Sequence, residues 1–250
     1  MIKKISIIIP AYNEEKRIKH TLQAYFDFFL QKQRDQKLSF EIIIVLNGCK
    51  DNTLRVVESF QNDHHNCLVI NLKQAGKGLA IKAGFQDALS RSVDLIGFVD
   101  ADMATEPKEF YALITQIDGN DGIIASRYMK DSKIYPPRPW IKRWGSFLIY
   151  ESLISLLFGL RNKDYQCGAK LFKAEVIKKI IPYMTITHWA FDVEMLYLCK
   201  KFGFKIKEVP TVWHDQAGSK LRIHSGMRML GSLFKLRWRH SPFARFLVAR

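Results

Sequence analysis

The 250-residue sequence predicts an α/β fold built on a doubly wound, mostly parallel sheet. Three observations carry that expectation. Short, β-branched and nearly continuous apolar runs recur through the first hundred residues, as strands covered on both faces require. Stretches with one-sided apolar spacing separate them, and strand alternating with helix is the pattern of βαβ units. Each apolar run ends in a polar loop, at the carboxyl end of the strand where such sheets gather ligands.

Ile5–Ile9 is the first expected strand; its apolar run is too short for a signal peptide and stops at Pro10. Glu14–Phe29 follows as a helix, with Ile18, Leu22, Tyr25, Phe26 and Phe29 on one side. Strands are expected at Glu41–Leu46, Cys67–Leu72 and Leu95–Val99, and helices at Asn52–Phe60 and Leu79–Leu89. Ser146–Leu160 is apolar with only Glu151 charged. At about 15 residues it falls short of the roughly 20 that span a bilayer, so it is expected to be packed or interfacial. Met195–Phe202 reads as a further helical run.

Acidic residues disappear after about residue 215, which predicts one domain over 1–215 and a basic tail over 216–250. Within the tail, Met227, Met229, Leu230, Leu233, Phe234, Leu236 and Trp238 share one broad helical side, while Arg228, Lys235 and Arg239 share the other. From Gln216 to Arg250 there are eight Lys or Arg and no Asp or Glu, a composition suited to an anionic membrane surface. Packing of the apolar side on the domain is the alternative.

An apolar content of 48% supports a sizeable core, and the net charge of +15 implies an anionic partner: phosphate, nucleic acid or acidic lipid. No aromatic RNA-binding strand motif, helix-turn-helix or paired zinc ligands occur, so nucleic acid is not expected. Cys49, Cys67, Cys167 and Cys199 are widely spaced without a Cys-x-x-Cys pair, which fits a reduced, cytoplasmic compartment.

The strand-ending loops carry the chemistry. Asp100 and Asp102 flank Ala101, so in extended chain both carboxylates point the same way, close enough for one or both to reach one hard cation; an Asp-rich turn after a strand is the alternative. Tyr12-Asn13-Glu14 follows Pro10 and Ala11 and is read as the mouth of a helix, with amides for a ribose or base, or as a simple cap by Asn13. Asn47-Gly-Cys-Lys-Asp51 offers amide and carboxylate groups to a base, or a helix start capped by Asp51. Gly76-Lys77-Gly78 places a lysine between two residues that let backbone approach a diphosphate.

Taken together, Ile9-Pro-Ala-Tyr-Asn-Glu-Glu15, Glu41-Ile-Ile-Ile-Val45, Gly48 with Asp51, Gly76-Lys-Gly78, Asp100-Ala-Asp102 and Ser126-Arg127 resemble the inverting family-2 glycosyltransferases of the A-type nucleotide-diphosphosugar fold. Asp164-Tyr-Gln-Cys-Gly-Ala-Lys-Leu-Phe172, Trp189-Ala-Phe-Asp-Val-Glu194 and Val209-Pro210 through Gly218-Ser-Lys220 look like the branch that glucosylates dolichyl phosphate or mannosylates polyprenyl phosphate. The resemblance extends to about residue 222 and makes 1–215 the catalytic domain.

It implies a donor pocket of Pro10, Ala11, Tyr12, Glu14, Asn47, Asp51, Lys77, Asp100, Ala101 and Asp102. Asp100 and Asp102 would hold Mg²⁺ or Mn²⁺ against the donor phosphates. Leu46 and Asn47 stand where many relatives carry two aspartates, so the usual carboxylate contact to the base is absent or replaced by an amide. On the acceptor side the resemblance points to Arg127, Lys142, Arg143, Ser146, Gln166 and Lys170, with Arg138 nearby as a solvated basic residue. Asp192 is left as a catalytic base, an anchor for Lys170 or Arg127, or a helix cap. The leading expectation is an enzyme that moves glucose or mannose from UDP-glucose or GDP-mannose to a polyprenyl phosphate, peripherally on the cytosolic face of a membrane. The rivals are a family-2 enzyme with a hydroxyl acceptor and a non-catalytic sugar-nucleotide or nucleic-acid binding protein.

Overall fold

The computed structural model describes residues 3–35, 37–137, 151–188, 190–216 and 224–241, with backbone alone over 224–230. Nine strands are seen among the described residues: β1 Lys3–Ala11, β2 Leu38–Asn47, β3 Cys67–Leu72, β4 Leu95–Phe98, β5 Gly122–Ser126, β6 Lys133–Tyr135, β7 Lys170–Lys173, β8 Ile206–Pro210 and β9 Val212–His214. The helices are α1 Ile18–Arg34, α2 Thr53–Asn62, α3 Lys77–Leu89, α4 Pro107–Gln116, α5 over residues 151–158, α6 Ala174–Ile180, α7 Phe191–Lys201 and α8 His224–Arg239.

Seven strands form one sheet in the order β3-β2-β1-β4-β7-β5-β8, parallel except for β7, while β6 and β9 form a small second sheet. The chain runs outward from β1 to β3, then returns through α3 to pair β4 on the other side of β1. That reversal opens a crevice at the carboxyl ends of β1 and β4, the usual ligand position in such sheets. Because β7 is antiparallel, its start, rather than its end, faces the same rim. The register pairs Lys170 with Phe98 on one side and Ile124 on the other, which sets the lysine two residues before the level of Asp100.

Alternation along the central strands feeds two cores. Ile5, Ile7 and Ile9 of β1 with Ile42, Ile44 and Leu46 of β2 face α1, α2 and α4. Ile8, Ile43 and Val45 face α3, α6 and α7 on the opposite side. Leu233 and Leu236 of α8 join this second core with no exposed surface, each stabilising by about 2 kcal/mol. Phe234 and Trp238 point outward at 57% and 59% exposure. The broad apolar side expected for the tail is therefore divided: one stripe packs on the domain and another meets solvent. No helix among the described residues is long and apolar enough to cross a membrane.

One boundary differs in a way that bears on the site. The first helix begins at Ile18, not Glu14, because the Glu14 carbonyl accepts from both Arg17 and Ile18 amides in a preceding turn and Asn13 sits in the left-handed region at φ 55°. Asn13 caps no helix. Tyr12–Glu14 thus present side chains and turn backbone to the rim rather than helix-terminal amides.

Candidate active site

The loops expected to converge are tied to one another by hydrogen bonds. At the end of β1, the Ala11 carbonyl accepts from the Asn47 side-chain amide at 2.9 Å, and Asn47 Oδ1 accepts from the Gly76 amide at 3.1 Å. Asn47 is buried, and its side chain ties the ends of β1 and β2 to the turn that opens α3. Lys50 donates its backbone amide to Asn13 Oδ1 at 2.8 Å. Asp51 accepts from the Thr53 amide at 3.1 Å and hydroxyl at 2.5 Å, and the Glu14 amide donates to that hydroxyl at 2.8 Å. Burial works against the Asp51 carboxylate, but the Thr53 hydroxyl and the Thr53 and Glu15 amides together outweigh it and lower its pKa. Asp51, two residues before α2, accepts from the first amide of that helix and from the Glu15 amide, and so holds the turn after β1 in place. Tyr12, 38% exposed, stands at the mouth of the crevice. Pro10 and Ala11 lie buried beside Val45 and Leu46.

The loop after β4 is held from below by α1. Thr21 Oγ1 donates to the Ala101 carbonyl and the Tyr25 hydroxyl to the Thr105 carbonyl, both at 2.8 Å and buried. Within this frame Met103 adopts φ 60°, an unusual conformation for a methionine, of the kind found at binding loops. Asp102 Oδ1 accepts from the Ala104 amide at 3.0 Å. Burial, and next the charge of Asp100, raise the Asp102 pKa, while Arg17 and Lys77 oppose the rise. Asp100 pairs directly with Lys77. Burial works against the Lys77 ammonium, but the carboxylates of Asp100 and Asp192 outweigh it and raise its pKa. Arg17 pairs with Glu14, the contact that most raises the arginine's pKa, and also feels Asp102 and Asp100. Glu14 therefore orients a second cation toward the crevice.

Gly168 lies against the Asp100 carboxylate so closely that any Cβ there would collide with it. The loop before β7 and the loop after β4 are thus in contact, and the glycine in the Gln166–Lys170 segment serves that approach. Lys170 has no exposed side-chain surface; its ammonium donates to Asp192 Oδ1 at 2.6 Å and to the Cys167 carbonyl at 2.7 Å, 5.3 Å from the centre of the Phe98 ring. Burial raises the Asp192 pKa, with Lys170 and then Lys77 opposing it. Of the three roles open to Asp192, the helix cap falls away, since Ala190 stands at the cap of α7 without side-chain capping, and the partner is Lys170 rather than Arg127.

Arg127, just past β5, is claimed by a residue to which sequence reasoning gave no role. Its Nε and Nη2 donate to the two Asp164 oxygens at 2.7 and 2.9 Å, and its amide adds a third bond at 3.0 Å. Burial opposes the guanidinium charge, but Asp164 raises its pKa well above the ordinary value. Trp213 of β9 covers the guanidinium at 5.0 Å. Asp164 opens the phrase that holds Gln166 and Lys170, and its place at the head of that phrase was the available signal. Gln166 is half-buried, and its backbone amide donates to Asp164 Oδ1 at 3.1 Å. Lys142, Arg143, Ser146 and Arg138 lie outside the described residues.

Among the described residues no group of three or more His, Cys, Asp or Glu forms a metal cage. Two neighbouring carboxylates nevertheless fit Mg²⁺ or Mn²⁺, which bind through one or two carboxylates and complete their shell with water and substrate phosphates. Asp100 and Asp102 would supply the donor set, with Lys77 and Arg17 placed to oppose excess negative charge.

The profile described as Glycosyl transferase family 2 matches residues 6–181, well over half of the chain. The chain belongs to glycosyl transferase family 2. Among named family members, a dolichyl-phosphate beta-glucosyltransferase of Dictyostelium discoideum is 36% identical over 249 residues, covering 94% of this chain and 74% of the relative. The human protein of the same name is 30% identical over 233 residues, covering 88% and 70%. In structure, glucosyl-3-phosphoglycerate synthase from Mycobacterium tuberculosis, solved with Mn²⁺, UDP and phosphoglyceric acid, superposes with a TM-score of 0.66 at 16% identity, covering 94% of this chain and 78% of that one. A mannosyltransferase from Pyrobaculum calidifontis, solved with GDP-mannose and Mn²⁺, gives 0.61 at 16% identity, covering 95% and 64%. These likenesses establish the A-type glycosyltransferase fold of the family. The non-catalytic rival gives way to a glycosyltransferase.

Proposed function

We propose that the protein transfers a hexose, glucose before mannose, from a nucleoside diphosphate sugar to a polyprenyl phosphate of the dolichyl type with inversion. The observation that carries the acceptor assignment is the buried Lys170–Asp192 pair at 2.6 Å beside Lys77 and Asp100. A hydroxyl acceptor needs a carboxylate able to take its proton, and here that carboxylate is engaged by an ammonium. A phosphate acceptor is already anionic and needs positive charge. The names of the relatives, dolichyl-phosphate beta-glucosyltransferases from slime mould to human, support the same acceptor and favour UDP-glucose over GDP-mannose.

In this reading Tyr12 and the turn at Asn13–Glu14 border the nucleoside, and Lys77 faces the donor diphosphate. Asp100 and Asp102 would hold a divalent cation, which would supply charge neutralisation for the departing nucleoside diphosphate. Arg127, oriented by Asp164, and Lys170, oriented by Asp192, set the positive field in which the lipid phosphate oxygen attacks the anomeric carbon from the face opposite the diphosphate. The new carbon–oxygen bond forms as the bond to the diphosphate oxygen breaks. Phe234 and Trp238 with Lys235, Arg237 and Arg239 give α8 an outward face suited to an anionic bilayer, from which the acceptor is drawn. The cytosolic side follows from the water-soluble donor and the cysteine usage.

A raised Asp192 pKa is the one feature that favours a hydroxyl acceptor. Asp192→Asn and Arg127→Ala separate the readings when glycolipid formation from labelled donor is followed. Loss in Arg127→Ala with measurable turnover in Asp192→Asn supports the phosphate acceptor; the reverse pattern supports a base at Asp192.

A further inference from the structure

Two residues beyond Asp192, Glu194 points away from the Lys170 side of α7 and has no exposed surface. All of its accepting capacity is directed at one loop and one helix end. Its Oε2 accepts from the Thr185 and Ile186 amides at 2.9 and 2.7 Å; its Oε1 accepts from the Thr185 hydroxyl at 2.8 Å and meets His240 Nε2 at 3.0 Å. Arg239 Nη1 adds a bond to the Thr185 carbonyl at 3.2 Å. The same loop backs the donor lysine. The Leu79 amide donates to the Thr187 carbonyl at 3.2 Å, and a Cβ on Gly76 or Gly78 would stand 2.7 Å from the Thr187 or Ile186 carbonyl. Lys82 clamps the loop again through the Met184 carbonyl at 2.6 Å.

We propose that Glu194 is a positioning residue for the donor. It fixes loop 185–187 against Gly76–Lys77–Gly78 and locks that loop, through His240, to the end of the C-terminal helix. The inference rests on the donor reading of Lys77. It adds a connection absent from that reading: the seating of α8, which carries Phe234 and Trp238 outward, is linked through Glu194 to the site of the donor diphosphate.

The test uses the full chain and isothermal titration of UDP and of GDP in the presence of Mn²⁺, with the donor KM and kcat measured alongside. Glu194→Gln keeps the shape but loses acceptance at one oxygen. It is expected to weaken nucleoside diphosphate binding roughly tenfold or more and to raise the donor KM alike, with the acceptor KM unchanged, because a small displacement at a phosphate contact is costly. His240→Ala should weaken binding in the same direction, and His240→Gln, whose amide can still donate to Glu194, should restore it. His240→Ala also keeps the test valid should Glu194→Gln fail to fold. Wild-type affinity in the variants, with only a lower melting temperature, would overturn the inference while leaving the donor site standing. A wild-type protein that binds neither nucleotide would defeat the donor reading and this inference together.

Discussion

Replacing Lys170 by methionine removes the positive half of an ion pair whose side chains are 0% and 7% exposed. Surface pairs contribute about 0–1 kcal/mol, but a buried carboxylate stripped of its partner costs about 3–5 kcal/mol. The bond to the Cys167 carbonyl and the contact with the Phe98 ring are lost with it, which places Lys170→Met in the upper part of that range. In a chain of 250 residues each kcal/mol moves the melting temperature by about 2–4 °C, so a fall of about 8–20 °C is expected. Urea unfolding of Lys170→Met, Asp192→Leu and the double variant provides the assay. The double variant should recover most of the lost stability, since an apolar pair of similar volume is tolerated where an orphaned charge is not, yet it should stay inactive. Single variants that each cost under about 1 kcal/mol would show the pair to be solvated and remove the argument that Asp192 is unavailable as a base.

Asp102→Ala should abolish metal-dependent turnover with little change in unfolding midpoint; an unchanged rate would dismiss the metal assignment. Gly168→Ala should impair the same step by displacing Asp100, and titration of Mn²⁺ with UDP should show the weakened site directly. Burial pushes Glu151 up to about 9, with Asp164 adding to it. An acid with a higher pKa folded than unfolded contributes stability that is complete below about pH 4.5 and is lost as pH rises through about 9. Glu151→Gln should therefore gain about 1–3 kcal/mol over wild type at pH 8–9, discounted for partial exposure, and little at pH 4, as read from denaturation midpoints. Phe234→Glu with Trp238→Glu should lower binding to anionic vesicles at an unchanged melting temperature, whereas Leu233→Glu should unfold the protein.

The parallel half of the sheet was legible because β1, β2 and β4 are buried on both faces and so are written as nearly continuous apolar runs, while the half-buried edge strand β3 keeps a similar apolar run. Strands β7 and β8 were not foreseen: Lys170-Leu-Phe-Lys173 and Ile206-Lys-Glu-Val-Pro210 are short and carry lysines, one of them turned inward to Asp192. Convergence of four loops was readable from their position after strands, but the use of each side chain was not. Asn47 looks like a ligand group in sequence, and only the fold shows that it also braces the rim, with Ala11 and Gly76 within its reach. Asp164, Glu194 and Arg17 escaped for the complementary reason. Their partners lie 37 residues away, at the far end of the chain, or one turn along in a segment misread as helix.

The most direct measurement is transfer of labelled glucose from UDP-glucose to a polyprenyl phosphate in detergent with Mn²⁺ or Mg²⁺, with GDP-mannose in parallel and both glycolipid and nucleoside diphosphate followed. Glycolipid that appears in step with released UDP, and disappears in Asp102→Ala, is the predicted result. Sugar transferred only to hydroxyl acceptors, with polyprenyl phosphate left untouched, would contradict the account.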